Sequence, residues 1–138
     1  MPSFILDTDT LSLWQHGHPN VTAQVTSHQS DLATTIITVE EQVLGRISAL
    51  RKAKRPDQVA LAYLSFTETI QWLRKLDVLT YSEPAVLRYG RLRKQNLGVR
   101  GYDLRIAAVA LEAGATVVTK NRGDFGRVPG LAIADWSA

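Results

Sequence analysis

Cysteine is absent from the 138 residues of this chain. Without it there is no disulfide framework, no thiolate zinc site and no cysteine nucleophile, so any metal must be bound through oxygen or histidine. Long apolar runs are also missing, and no stretch approaches the roughly 18 uninterrupted apolar residues of a membrane helix. The opening segment has no basic region followed by an apolar core, so we expect a soluble, cytoplasmic protein.

Lysine and arginine are missing from the first third of the sequence. Residues 1–45 have five acidic residues and no Lys or Arg, which gives −5, whereas the remainder has sixteen basic against eight acidic residues, which gives +8. Most of the basic residues concentrate in segments 46–55 and 88–105, a pattern suited to neutralising nucleic-acid phosphates. A solvated helix face explains either segment alone equally well. We select six basic residues as candidates for phosphate contact: Arg51, Lys52, Lys54, Arg91, Arg93 and Lys94.

Strand and helix patterns alternate along the chain. Apolar or β-branched runs predict five short strands, at 4–6, 34–38, 78–81, 116–119 and 131–133. Helical spacing predicts helices between them, among which the segment from Asp103 is apolar almost all round and ends at Gly114. This order predicts an α/β fold in one domain, 1–138, with a mostly parallel sheet of four to five strands covered by helices on both faces.

Acidic and amide side chains fall near the carboxyl ends of the predicted strands. Ligands bind outside those ends in open parallel sheets, so we expect these side chains to meet at one edge. Mg²⁺ and Mn²⁺ prefer oxygen ligands, and a divalent cation would relieve the repulsion between crowded carboxylates. The residues are Asp7, Asp9, Glu40, Glu41, Asp103, Asn121 and Asp124.

Helix capping is a simpler explanation for several of these acids. Thr38 and Glu41 match a T-x-x-E capping box, while Asp9 and Asp103 could each cap a helix that begins at the next residue. Capping does not predict Asp7, which directly follows an apolar strand, where an unpaired buried carboxylate would be unfavourable by several kcal/mol. The joint placement therefore favours a metal site.

Two further assignments stay open at this point. Glu40 lies nearer the apolar side of its predicted helix than Glu41 does, so the pattern does not choose between them. The three histidines, His16, His18 and His28, are expected at the surface rather than in a metal site.

Three blocks in a fixed order carry a family resemblance. They are FILDTDTLSLW, IITVEEQVLGR and YDLRIAAVALEAGATVVTKNRGDFGRVPGLAIADW, and together they extend from Phe4 to Trp136. In this order the chain resembles the PIN-domain superfamily and, within it, the VapC-type toxins of bacterial toxin–antitoxin pairs. The resemblance implies a three-layer α/β/α fold, Mg²⁺- or Mn²⁺-dependent cleavage of RNA, a homodimer, and a small cognate antitoxin that inserts into the active site.

The same resemblance implies roles for individual residues. Asp7, Glu41 and Asp103 match the acidic triad of the family, which selects Glu41 over Glu40. Asp7 and Asp103 would ligate the metal, and Glu41 would do so directly or through the attacking water. The fourth acidic position of many relatives is neutral here and corresponds to Asn121, with Asp124 as a possible substitute. The residues expected to orient the water or a second ion are Asp9, Thr119, Asn121 and Asp124, and the basic segments would contact the RNA backbone.

Three other functions are compatible with parts of the sequence. DTDT at 7–10 resembles the D-x-D-x-T motif of haloacid-dehalogenase phosphatases, whose first aspartate becomes phosphorylated. That family also needs a late pair of acids and usually a cap insertion, for which 138 residues leave little room. A free-standing RNA-processing nuclease of the PIN type is the closer alternative, while an RNA-binding domain without activity would not need the acids. No motif identifies the RNA, and transfer RNA is one candidate.

Overall fold

A single five-stranded sheet organises the computed structural model, which describes residues 2–138. The strands are β1 (Phe4–Leu6), β2 (Leu32–Thr35), β3 (Asp77–Leu79), β4 (Thr116–Val118) and β5 (Ile133–Ala134). Their order is β3-β2-β1-β4-β5, and every neighbouring pair is parallel. The predicted parallel sheet is confirmed, with β1 at its centre.

Helices connect the strands, as parallel pairing requires. Within residues 2–138 they are α1 (Thr8–Gln15), α2 (Pro19–Ser27), α3 (Ile36–Lys52), α4 (Pro56–Leu73), α5 (Glu83–Arg93), α6 (Gly101–Ala113) and α7 (Arg122–Phe125), with a short 3₁₀ helix at Gln29–Asp31. No helix in this part of the chain is long and apolar enough to cross a membrane.

Both faces of the sheet are covered by helices. Successive strand residues point to opposite faces, so Ile5 and Leu6 enter different cores. Ile5 packs with Ile106 of α6, and Leu6 packs with Leu11 of α1 and Val21 of α2. All five of these side chains are fully buried, and the result is a three-layer arrangement of helix, sheet and helix.

Polar side chains cap the helices that leave the carboxyl ends of three strands. An Asp7 carboxylate oxygen accepts a hydrogen bond from the Thr10 amide at 2.9 Å and so begins α1. The Thr35 hydroxyl accepts from the Thr38 amide at 3.1 Å to begin α3, and Asn121 caps α7 in the same way. Three helix N-termini therefore meet at one edge of the sheet, where their amides favour negative charge.

The second strand was predicted too late in the sequence. It was expected at 34–38 but ends at Thr35, because the Thr35 hydroxyl caps a helix that begins at Ile36. Thr38 is therefore the third residue of α3 and not its cap, so the predicted capping box of Thr38 and Glu41 is wrong. Glu41 lies in the second turn of α3, where its side chain does not cap the helix.

Two other predicted caps are wrong for similar reasons. Asp7, not Asp9, caps the first helix, which begins at Thr8 rather than at Thr10. Asp103 is the third residue of α6, because that helix begins at Gly101 and its N-cap position is Arg100.

The last third of the chain follows the prediction with small shifts. Gly114 ends α6 in the left-handed conformation at φ 64°, which glycine adopts without steric cost. The final strand lies at Ile133–Ala134, two residues later than expected, and the polar loop before it contains the short helix α7.

Candidate active site

Asp7 is a buried carboxylate at the end of the central strand. It is 3% exposed, and burial raises its pKa from 3.8 to about 6. Hydrogen bonds from the Thr119 side chain and from Thr10 oppose this shift because they stabilise the charged form. The Thr119 hydroxyl oxygen also accepts a hydrogen bond from the backbone amide of Asn121 at 2.8 Å. This contact holds the Thr119 side chain against Asp7.

Glu41 reaches the same edge of the sheet from α3. Its Oε1 accepts a hydrogen bond from the Thr8 hydroxyl at 2.6 Å, so the residue next to Asp7 in sequence positions the glutamate. The Thr38 hydroxyl, one turn before Glu41, lies 3.3 Å from the same Thr8 oxygen. Glu41 is therefore held beside Asp7, whereas no contact of Glu40 with this site is observed among the described residues.

Asp103 and Arg100 complete the side of the site formed by α6. Arg100 Nη2 donates to Glu41 Oε2 at 2.9 Å and to Asp103 Oδ1 at 3.2 Å. Burial raises the pKa of Asp103, Arg100 opposes that rise, and the charges of Glu41 and Asp124 add to it. The hydrogen bond to Asp103 raises the pKa of Arg100, so the guanidinium stays protonated.

Asn121 and Asp124 close the site on the α7 side. The side-chain Nδ2 of Asn121 donates a hydrogen bond to Asp124 Oδ2 at 3.0 Å. The Oδ1 of the same side chain accepts one from the backbone amide of Asp124 at 3.1 Å. Asp124 also pairs with Arg127 at 3.3 Å. The residues around the carboxylates are called the ring: Asp7, Thr8, Glu41, Arg100, Asp103, Asp124, Asn121 and Thr119. Hydrogen bonds link Thr8 through Glu41 and Arg100 to Asp103, and Asp124 through Asn121 and Thr119 to Asp7. Asp103 and Asp124 act on each other only as like charges.

The donor set is suited to a hard divalent cation. It consists of carboxylate, hydroxyl and amide oxygens, which Mg²⁺ and Mn²⁺ prefer. In this conformation, however, no three carboxylate or imidazole side chains within residues 2–138 converge closely enough to hold one metal ion. A guanidinium nitrogen lies between Glu41 and Asp103, so a cation is already present where two candidate ligands face each other.

The remaining predicted residues lie around or away from this ring. Asp9 is exposed on α1 and lines an open cavity of about 440 Å³ together with Ser12, Leu13, Lys120 and Asn121. All six candidate phosphate-binding residues are exposed. His16 is exposed, and His18 and His28 are half-buried; none of the three belongs to the ring.

The sequence predicts no role in the site for two residues of the ring, Arg100 and Thr8. Arg100 was counted only as part of a basic segment, although its place just before a buried helix that carries an acid was a usable signal. Thr8 follows Asp7 directly, and no pattern in the sequence shows that its hydroxyl reaches a glutamate 33 positions away. Both act through contacts that only the fold creates.

The phosphatase motif fails at its last position. D-x-D-x-T requires threonine four residues after the first aspartate, and that position is Leu11, which is fully buried in the core. The second acid of the motif, Asp9, is exposed and outside the ring. The segment is therefore the capped start of α1.

Relatives match almost the whole chain. The tRNA(fMet)-specific endonuclease VapC of Salmonella typhimurium is 28% identical over 141 residues, which cover 99% of this chain and 99% of the relative. Ribonuclease VapC2 of Rickettsia felis is 24% identical, covering 96% of this chain and 97% of the relative. Similarity of this extent takes in the segments that supply Asp7, Glu41 and Asp103.

A solved structure and a family model agree with these relatives. A chain of the DNA-bound VapBC structure from Salmonella typhimurium superimposes with a TM-score of 0.81 at 28% identity, covering 99% of each chain. The predicted three-layer fold and the resemblance to VapC-type PIN domains are thus confirmed. The family model described as PIN domain matches residues 4–131, and this chain belongs to the PIN-domain family.

Proposed function

We propose that the chain is a divalent-metal-dependent endoribonuclease and the toxin of a toxin–antitoxin pair. The observation that carries the proposal is that Asp7, Glu41 and Asp103, from three distant segments, lie at one edge of the sheet and are joined to it by hydrogen bonds of Thr119, Thr8 and Arg100. Helix capping at this edge needs only oxygen acceptors, so it does not explain three acids. The full-length similarity to relatives named as VapC ribonucleases supports the same activity.

The residues of the ring have distinct tasks in this proposal. Asp7, Glu41 and Asp103 would hold Mg²⁺ or Mn²⁺, which supplies charge neutralisation on the phosphate and lowers the pKa of a water. Thr119 and Thr10 orient the Asp7 carboxylate, and Thr8 orients Glu41. Asn121 and Asp124, which hydrogen bond to each other, would order water on the α7 side. Hydrolysis adds that water across the phosphodiester, so the leaving oxygen takes up a proton.

Cleavage of RNA in the presence and absence of metal tests the nuclease assignment. Purified protein is incubated with total RNA in Mg²⁺, in Mn²⁺ and in excess chelator. We expect fragments only with a divalent cation. Undiminished cleavage in chelator would contradict metal dependence, and a phosphoaspartate trapped at Asp7 would support the phosphatase instead.

Transfer RNA is the substrate class that we propose to examine first. The Salmonella relative is named as an endonuclease specific for tRNA(fMet), which supports this choice. Sequencing of the RNA ends that accumulate after brief induction identifies the RNA and the cleaved bond. Ends that map to messages or ribosomal RNA would overturn the choice of transfer RNA and leave the nuclease assignment intact.

An antitoxin partner is the remaining part of the proposal. Large apolar side chains are exposed along α3 and α4, including Leu44, Leu61, Tyr63 and Leu64, and Leu61 is 64% exposed. Apolar surface of this kind is usually covered by a partner. Co-expression with the protein from a neighbouring gene should restore growth. If induction alone causes no growth arrest and nothing co-purifies, the chain is a free-standing RNA-processing enzyme.

A further inference from the structure

Arg100 places one cationic nitrogen between two candidate metal ligands. Its Nη2 is 2.9 Å from Glu41 Oε2 and 3.2 Å from Asp103 Oδ1, and the two acids belong to different helices, α3 and α6. Among the ion pairs of residues 2–138, no other cation pairs with either acid. The guanidinium thus supplies the positive charge that holds the two carboxylates together.

The same two carboxylates cannot serve a guanidinium and a divalent ion equally well. A metal ion bound to Glu41 and Asp103 would lie close to Arg100 and would be repelled by its charge. Glu41 Oε2 and Asp103 Oδ1 both accept from Nη2, so a metal ion that bridges these two oxygens would take the place of the guanidinium. Binding of the metal and pairing of Arg100 are therefore competing states of one site.

The Arg100 side chain can move away from the two carboxylates. Its side chain is 57% exposed, whereas those of Glu41 and Asp103 are each 12% exposed, so the arginine can move into solvent while the acids stay in place. Although Arg100 occupies the N-cap position of α6, its side chain makes no capping hydrogen bond. Departure therefore breaks the two ion pairs without uncapping the helix.

We propose that Arg100 is a built-in counter-ion that neutralises Glu41 and Asp103 in the metal-free protein and is displaced when the divalent cation binds. It acts as a positioning residue that sets the metal concentration at which the site fills. The inference rests on the proposed function, because it requires that the same carboxylates bind metal.

Direct Mn²⁺ binding to three proteins tests the competition. Isothermal titration and the electron paramagnetic resonance of free Mn²⁺ are measured for the parent, for Arg100→Gln and for Arg88→Gln. Arg88→Gln is the matched control, since it removes the same charge from an ion pair with Glu112 at 2.9 Å that has no contact with the ring. We expect Arg100→Gln to bind Mn²⁺ at least about fivefold more tightly, and the control to bind like the parent.

Thermal unfolding provides a second readout that does not depend on activity. In chelator, Arg100→Gln should unfold at a lower temperature than the parent, because two carboxylates lose their counter-ion. Saturating Mn²⁺ should raise its unfolding temperature by more than it raises that of the parent. If Arg100→Gln does not fold, Arg100→Met takes its place; it keeps a long flexible side chain and removes the charge, and tighter Mn²⁺ binding is again expected.

The outcomes separate this inference from the proposed function. Equal or weaker Mn²⁺ binding by the Arg100 variant, with normal binding by the parent, would overturn the counter-ion role alone. Absence of Mn²⁺ binding by the parent and by both variants would overturn the metal-dependent function and the counter-ion role together.

Discussion

The two ends of the central strand are built on different principles. At its amino end, the Phe4 ring packs against His28 at 4.7 Å and Trp136 at 5.2 Å between centroids. At its carboxyl end, three residues later, Asp7 buries a carboxylate at 3% exposure. Aromatic packing of the first kind stabilises the fold. Burial of a charge opposes folding, so the carboxyl end keeps a feature that stability alone would not select.

Capping does not account for the charge of Asp7. An N-cap needs an oxygen that accepts from the helix amide, and Asn or Ser supplies one as well as Asp does. With Asp, the cap of α1 carries a carboxylate whose pKa is raised by burial. The difference between the two ends of β1 therefore separates what the fold needs from what the site needs, and variants at each end test it.

Asp7→Asn should have the largest effect. Asparagine keeps the cap of α1 and removes the carboxylate, so we expect the fold to persist and the rate of RNA cleavage to fall by about a thousandfold or more. The measurement is the initial rate of cleavage at saturating Mg²⁺, with circular dichroism as the check on folding.

Asp31→Asn is the matched control for this loss. It removes the same charge from an exposed residue just before β2, on the amino side of the sheet. The control should cleave like the parent. Full activity of Asp7→Asn, or equal loss in both variants, would show that the carboxyl end is not the catalytic end.

The pH dependence of stability tests the burial of Asp7 at the carboxyl end of β1. Because the pKa of Asp7 in the folded chain, about 6, lies above its ordinary value of 3.8, its contribution is fully present below about pH 4 and is lost as the pH rises through 6. In chelator at pH 7.5, Asp7→Asn should therefore be more stable than the parent by up to about 3 kcal/mol.

Urea unfolding at pH 4 and pH 7.5 measures this difference. The advantage of Asp7→Asn should shrink toward zero at pH 4, where the parent carboxyl is largely protonated, and saturating Mn²⁺ should reverse it at pH 7.5 by stabilising the parent. A free-energy gap between the two proteins that does not change with pH would mean that Asp7 carries no burial cost.

The architecture was predictable because its signals are local. The buried strand at Phe4–Leu6, the apolar helix ended by Gly114 and the alternation of strand and helix all appear in short windows of sequence. The error at β2 has a physical reason. Threonine and isoleucine favour a strand, yet the same Thr35 hydroxyl is a good helix cap, and composition alone does not show which role it takes.

The acids of the site were predictable, and their neighbours were not. Asp7, Glu41 and Asp103 follow from their order and from the family resemblance. The contacts of Glu41 with Thr8 and with Arg100 join residues 33 and 59 positions apart, so they depend on how the helices pack across the sheet edge. No window of sequence contains both partners of either contact.

The two basic segments should differ in RNA binding because one ends a helix that packs against α6, which carries Asp103, and the other lies at the far end of α3 from Glu41. Arg91 and Arg93 are in the last turn of α5, and this helix packs against α6, where Arg105 lies over the Tyr89 ring at 4.6 Å. Arg51 lies ten residues beyond Glu41 on α3, about 15 Å along the helix.

Neutralising triple variants measure the contribution of each segment. Replacement of Arg91, Arg93 and Lys94 by glutamine should weaken RNA binding and flatten its log–log salt dependence by about one unit for each phosphate that the protein no longer neutralises. Replacement of Arg51, Lys52 and Lys54 by glutamine removes the same three charges and should weaken RNA binding less. If both triple variants bind RNA with the affinity and the salt dependence of the parent, these residues are solvated surface and do not contact RNA.

The smallest effect is expected from Asn121 and Asp124, which hydrogen bond to each other at 3.0 Å. Asn121→Asp keeps the cap of α7 and places a second carboxylate against Asp124, so it should lower the Mg²⁺ concentration needed for half-maximal cleavage by a few fold. Asp124→Asn removes a charge that acts on Asp103 and should raise that concentration. Metal titrations of cleavage compare both variants with the parent. If the three curves coincide, neither residue affects the metal, and the charged end of the sheet depends on Asp7, Glu41 and Asp103 alone.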